Sequence, residues 1–103
     1  MNQHGDLPPP CSNFTLNYDS SSNSLLLFGG GTLNKEKLNS VYKLNVSSFT
    51  WEKIFFPENV SLPSQRSYHC AEIIANYLVI YSGEFFHDLD DTWILNLNTN
   101  EWK

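Results

Sequence analysis

Glu84, His87, Asp88, Asp90 and Asp91 crowd into the stretch EFFHDLDD, a density of carboxylate and imidazole that could hold a divalent cation. The spacing matches no Ca²⁺-binding loop, and Asp90 and Asp91 stand where a strand should begin, so the expectation is a solvated acidic loop with no metal. Tyr68, His69 and Cys70 are the second chemically capable set, combining phenol, imidazole and thiol. A strand sends neighbours to opposite faces, so Tyr68 and Cys70 share one face and His69 takes the other; a single metal would not meet all three. The run GGGT, residues 29–32, follows an apolar strand and leads into another strand rather than a helix, so it is no phosphate cradle. No Ser-His-Asp or Cys-His constellation can be argued. No catalytic residue and no cofactor is assigned, and the segment is expected to be non-catalytic.

The elements that would position these side chains belong to a short chain. With 103 residues, 41% of them hydrophobic and 15% aromatic, it has the material for one packed domain or a piece of a larger one. A net charge of −5 with six Lys plus Arg argues against a nucleic-acid or anionic membrane face. No apolar run approaches the roughly 20 residues that span a bilayer. MNQHGDLPPP has neither a basic start nor an apolar h-region, so a cytoplasmic or nuclear setting is expected. Cys11 and Cys70 are too few for a disulfide framework or a four-thiolate zinc site and read as reduced thiols. The sequons at Asn13, Asn45 and Asn59 are about what chance supplies in so Asn- and Ser-rich a chain.

One pattern is written twice. LNSVYKLNVSSFTW (residues 38–51) aligns with LDDTWILNLNTNEW (residues 89–102), placing Tyr42 on Trp93 and Trp51 on Trp102. NSLLLFGG (residues 23–30) aligns with NYLVIYSG (residues 76–83), an offset that carries back to Pro10 and Pro63. Only the loop after the glycines then differs in length. Residues 1–9 flank a first unit at 10–56 and a second at 57–103. Each unit reads as four antiparallel strands, so the class is all-β. The second strand of each, residues 25–28 and 77–81, is apolar on both faces and must be covered on both sides.

An apolar quartet ending in Gly-Gly, a Tyr or Trp ten to twelve residues on, and a Trp nine beyond that resembles the kelch motif. The second unit adds the motif's opening, Pro63 to His69; the first has Asn13 and Leu16 where that spacing puts Arg66 and His69, and Ser82 replaces the first glycine of the pair. The resemblance implies a partial β-propeller of two four-stranded blades, with the last strand of the second blade cut short after Trp102. Gly29, Gly30 and Gly83 would turn the chain, while Tyr42, Trp51, Trp93 and Trp102 would join consecutive blades. Two blades leave apolar faces bare, so further blades or self-association through those faces are expected.

Antiparallel strands bring the loops 32–37 and 84–88 and the connection 57–65 to one end. Asn34, Lys35, Glu36, Lys37, Arg66, Phe85, Phe86 and His87 are therefore the residues expected to touch a protein partner. The resulting expectation is a protein-interaction scaffold. The alternatives are a propeller accessory to an enzyme, such as a phosphatase, or to a ubiquitin-ligase adaptor, and more remotely an oxidase resembling galactose oxidase.

Overall fold

The computed structural model describes residues 3–103. Every regular element among them is a strand. The first unit runs through β1 (His4–Gly5), β2 (Cys11–Ser12), β3 (Thr15–Asp19), β4 (Ser24–Phe28), β5 (Gly31–Thr32), β6 (Val41–Asn45) and β7 (Thr50–Ile54). The second comprises β8 (Cys70–Ile74), β9 (Tyr77–Tyr81), β10 (Glu84–Phe85), β11 (His87–Asp88), β12 (Thr92–Asn96) and β13 (Glu101–Trp102). The main sheets have the order β1-β7-β6-β4-β3 and β13-β12-β9-β8, each a four-strand antiparallel meander. The first sheet carries one extra strand, β1, which pairs with β7 in parallel. That strand comes from the segment read as a mere flank.

Turn chemistry explains why the meanders close alike. Asn45 Oδ1 accepts from the backbone N–H groups of Ser47 and Ser48, and Asn96 Oδ1 accepts from those of Asn98 and Thr99. This Asx turn offers the backbone a local partner and starts the last hairpin of each unit. The first hairpins differ. β3 and β4 are joined by four residues, with Asp19 accepting from the Ser21 and Ser22 hydroxyls, whereas Ala75 and Asn76 alone join β8 to β9.

This difference corrects the alignment. Thr15 pairs with Phe28 as Cys70 pairs with Tyr81, so the first strands match at an offset of 55, not 53. The proline run of residues 8–10 hid the slip, because Pro8 as well as Pro10 could be set against Pro63. The partners of Arg66 and His69 in the first unit are therefore Cys11 and Phe14, not Asn13 and Leu16. The backbone agrees: Asn13 (φ 59) and Tyr68 (φ 60) share the left-handed conformation.

Alternation along β4 divides the interior in two. Leu26 and Phe28 join Val41 in a core with Leu78, Ile80 and Leu95, which is the joint between the sheets. Leu27 faces the other way, onto Tyr42 and Trp51. Both aromatic pairs are T-shaped, Tyr42–Trp51 at 6.5 Å and 84° and Trp93–Trp102 at 6.3 Å and 83°. Only the second pair lies in the joint, where Trp102 meets Phe28 and Phe56. Trp51 packs on the far side of its sheet. The expectation that β9 is covered on both faces fails for the same reason: Leu78 and Ile80 are buried, while Tyr77 and Tyr81 are exposed because no unit lies against them.

Candidate functional site

The loops after β4 and β9 and the connection into β8 meet at one end, and backbone bonds weave them together. The Gly30 N–H donates to the Arg66 carbonyl (2.9 Å), and the Arg66 N–H donates to the Leu38 carbonyl (3.0 Å). Ser67 and Glu84 exchange two backbone bonds. Such close weaving needs glycine. Gly29 holds φ +70, and a Cβ there would sit 2.6 Å from His69 Cε1 and 2.8 Å from the Arg66 carbonyl.

Arg66 does not reach a partner from this surface. Its side chain is 0% exposed, and this corrects the expectation of a contact residue. The guanidinium forks onto Asp91 at 2.7 and 3.0 Å and donates further to the Ser82 carbonyl, the Ser64 carbonyl and Ser64 Oγ. A buried cation requires such a complement, and the planar fork matches a carboxylate. Asp91 is accordingly tied to the buried cation, although its side chain keeps 42% of its exposure. The hydrogen bond from Arg66 holds its carboxyl down at about 2 against the opposing pull of burial, with Trp93 Nε1 donating as well. Nothing at the level of sequence distinguishes Asp91 from Asp90; the signal was the motif's own arginine, a charge set among residues that must be buried.

Behind Arg66 lies His69. Its Nε2 bonds Thr15 Oγ1 across the joint at 2.8 Å, and its ring stands edge-on to Phe28. Burial, reinforced by the Arg66 charge, pushes it down to about 4, so it is neutral at physiological pH. Tyr68 points to solvent while His69 points inward, so the Tyr-His-Cys set does not converge. Among the described residues no three His, Cys, Asp or Glu side chains are arranged to hold a metal.

The outer layer of this end is polar at its base and apolar at its tips. Lys37 is half-buried: its Nζ donates to Ser67 Oγ (2.5 Å), lies 3.8 Å from Glu84 Oε1 and sits over the Tyr68 ring at 5.7 Å. Asn34, Lys35 and Glu36 are exposed on one loop, and His87 is exposed on the other. Phe86, at φ 65, forms the tip of the β10–β11 hairpin and is 94% exposed, its ring tilted by 52° against that of the half-buried Phe85 with centroids 4.5 Å apart. Leu33, which sequence reasoning passed over, is 92% exposed on the neighbouring loop. At this end an open groove of about 320 Å³ is lined by Ser12, Asn13, Thr32, Lys35, Lys37 and Tyr68. Tyr68 was also missed as a surface residue, because its place depends on the left-handed turn at the start of β8.

The family described as the KLHDC2/KLHL20/DRC7 Kelch-repeats domain matches residues 1–103. The chain belongs to the kelch-repeat family. Its two units are kelch blades, forming part of a propeller that is not closed. An F-box/kelch-repeat protein of Arabidopsis thaliana is 34% identical over 96% of this chain and 22% of its own length. The dynein regulatory complex subunit 7 of Chlamydomonas reinhardtii is 35% identical over 77% of this chain and 7% of its own. Acyl-CoA-binding domain-containing protein 5 of Arabidopsis thaliana is 34% identical over 92% and 15%. The kelch chain thus spans less than a quarter of the length of these relatives. Kelch domains generally mediate protein–protein contact. No helix among the described residues is long and apolar enough to cross a membrane.

Proposed function

We propose that the loop end of the two blades is a protein-binding surface and that this segment acts as a non-catalytic scaffold. The observation that carries the reading is the pair of apolar tips, Leu33 and Phe86, held almost fully in water by loops whose bases are locked. Exposed apolar side chains beside polar rims can act as interface anchors, and locked loop bases limit the backbone entropy lost on docking. The Lys35–Lys37–Tyr68 groove adds cationic and aromatic contacts at the same end. Affinity capture from cell extract with the wild-type chain and with Phe86→Ser and Leu33→Ser variants tests this. Specific partners should be lost from both variants while their melting temperatures stay unchanged; identical partner sets would remove the tips from the site.

The relatives favour a second reading, a propeller accessory to another domain. One of them pairs kelch repeats with an F-box, and another carries an acyl-CoA-binding domain in its name. Binding at the loop end serves either reading, and an activity in a protein that contains this segment, lost on Phe86→Ser, would favour the second.

A further inference from the structure

The hairpin from Glu84 to Asp88 breaks three local rules in five residues. Phe86, alone at its tip, holds φ 65, a left-handed backbone that favours glycine over any residue with a Cβ. Its ring is 94% exposed, where turn chemistry favours a small polar residue. Glu84 and Asp88 stand directly opposite each other across the two strands, a like-charge pair that weakens the pairing. Natural sequences break such rules mainly at functional sites.

The first unit shows what a neighbouring blade does to such a loop. Gly29-Gly30 matches Ser82-Gly83, and counting from them Leu33 is the counterpart of Phe86. The second blade takes hold of the base of the first unit's loop: Lys37 Nζ reaches Ser67 Oγ and Glu84 Oε1, and Leu38 bridges to Arg66. Leu33 nevertheless stays 92% exposed, with Asn34, Lys35 and Glu36 in solvent beside it. A blade thus covers the base of this loop and leaves the tip free, and the same geometry leaves Phe86 free beside any further blade.

The two tips differ in charge and in shape. Lys35 and Lys37 follow Leu33, whereas Glu84, Asp88 and Asp90 flank Phe86 and are exposed, with no Lys or Arg between Gly83 and Lys103. The open groove at this end is walled by the first unit's loop and Tyr68 and includes neither Phe85 nor Phe86. Phe86 is therefore a projection and not the wall of a pocket. We propose that Phe86 is a knob that enters an apolar cavity on a folded protein partner, and that cationic side chains on the rim of that cavity meet Glu84, Asp88 and Asp90. Such docking rests on the loop end's being a protein-binding surface, and it fixes what the partner must present. A lipid surface is the wrong counterpart, because the carboxylates around the ring would meet anionic headgroups.

A synthetic host with both features is the probe. Fully amino-substituted β-cyclodextrin joins a phenyl-sized apolar cavity to a ring of ammonium groups, and plain β-cyclodextrin has the cavity alone. Titration calorimetry on the folded chain at low ionic strength should give a dissociation constant for the cationic host at least about tenfold below that for the neutral one. Glu84→Gln with Asp88→Asn should abolish that preference while binding of the neutral host persists, and Phe86→Gly should abolish binding of both. The Phe86→Gly chain should melt no more than about 4 °C below wild type, because glycine suits φ 65 and the ring leaves no burial behind. Equal affinity of the wild type for the two hosts would overturn the proposal. So would a larger fall in the melting temperature of Phe86→Gly, or Phe86-dependent binding of the wild type to phosphatidylserine vesicles. Captured partners lost from Phe86→Ser, together with equal host affinities, would leave the binding surface standing and remove this mode of docking.

Discussion

The two blades place the same residue positions in different surroundings. Phe28 and Tyr81 occupy one register position, yet Phe28 is 1% exposed between His69 and Trp102 and Tyr81 is 51% exposed. The buried Arg66 is locked to the half-exposed Asp91 in the second blade, where the first has Cys11 and Ser40. His69 faces the joint, while its counterpart Phe14 is exposed. A repeat motif specifies the strand pattern; the neighbour that a face meets decides whether a given side chain is core, lock or surface. In this chain the second blade is the better anchored at its loop end and the first the better covered on its two faces.

The strongest way to break the comparison is truncation at the shared register position. Phe28→Ala should cost about 3–5 kcal/mol by opening a cavity in the joint, and Tyr81→Ala should stay within about 0.5 kcal/mol of wild type. Denaturant unfolding of the two variants measures both. Equal losses would mean that the joint does not carry the stability assigned to it.

The lock comes next. Asp91→Ala leaves the Arg66 cation buried with carbonyl and hydroxyl acceptors only, and it should cost about 3 kcal/mol. Ser40→Ala at the matching position of the first blade should cost less than about 0.5 kcal/mol. Thermal melts of the pair sharpen the contrast.

A smaller effect separates the two by pH. His69 titrates at about 4 in the fold against 6.5 for the free side chain, so between those values the unfolded chain binds more protons. Stability is therefore whole above about pH 6.5 and falls as pH drops toward 4, by about 2–3 kcal/mol. His69→Phe, which installs the first blade's residue, should flatten the melting-temperature profile across that window. A slope that survives the substitution would assign it elsewhere. Asp91 contributes only below this range, between its ordinary value of 3.8 and about 2, where a depressed carboxylate loses its stabilising charge.

Much of this was readable beforehand because it is local. Alternation of apolar residues, the Asn that opens each last hairpin and the paired aromatics set strand number, order and pairing without reference to anything distant. The glycines marked where backbones pass closely. What misled was degenerate local information: three consecutive prolines allowed two alignments, and equal lengths from Pro10 to Gly30 and Pro63 to Gly83 concealed two compensating choices. The candidate site was legible as a set of loops but not as a set of exposed side chains. Arg66 looked like Lys35 in composition and proved to be its opposite in burial.

The amino-acid sequence by itself determined the repeat, the strands and the all-β class, because these follow from periodicity and turn chemistry over a few neighbouring residues. Only the tertiary structure decided which aromatic pair joins the blades, that Arg66 and Asp91 form a lock, and that β1 pairs with β7 while Gln3 accepts from Trp51 Nε1. Each depends on groups 25 or more positions apart in the chain, or on which face a neighbouring sheet covers, and solvent exclusion at that distance leaves no mark on local sequence.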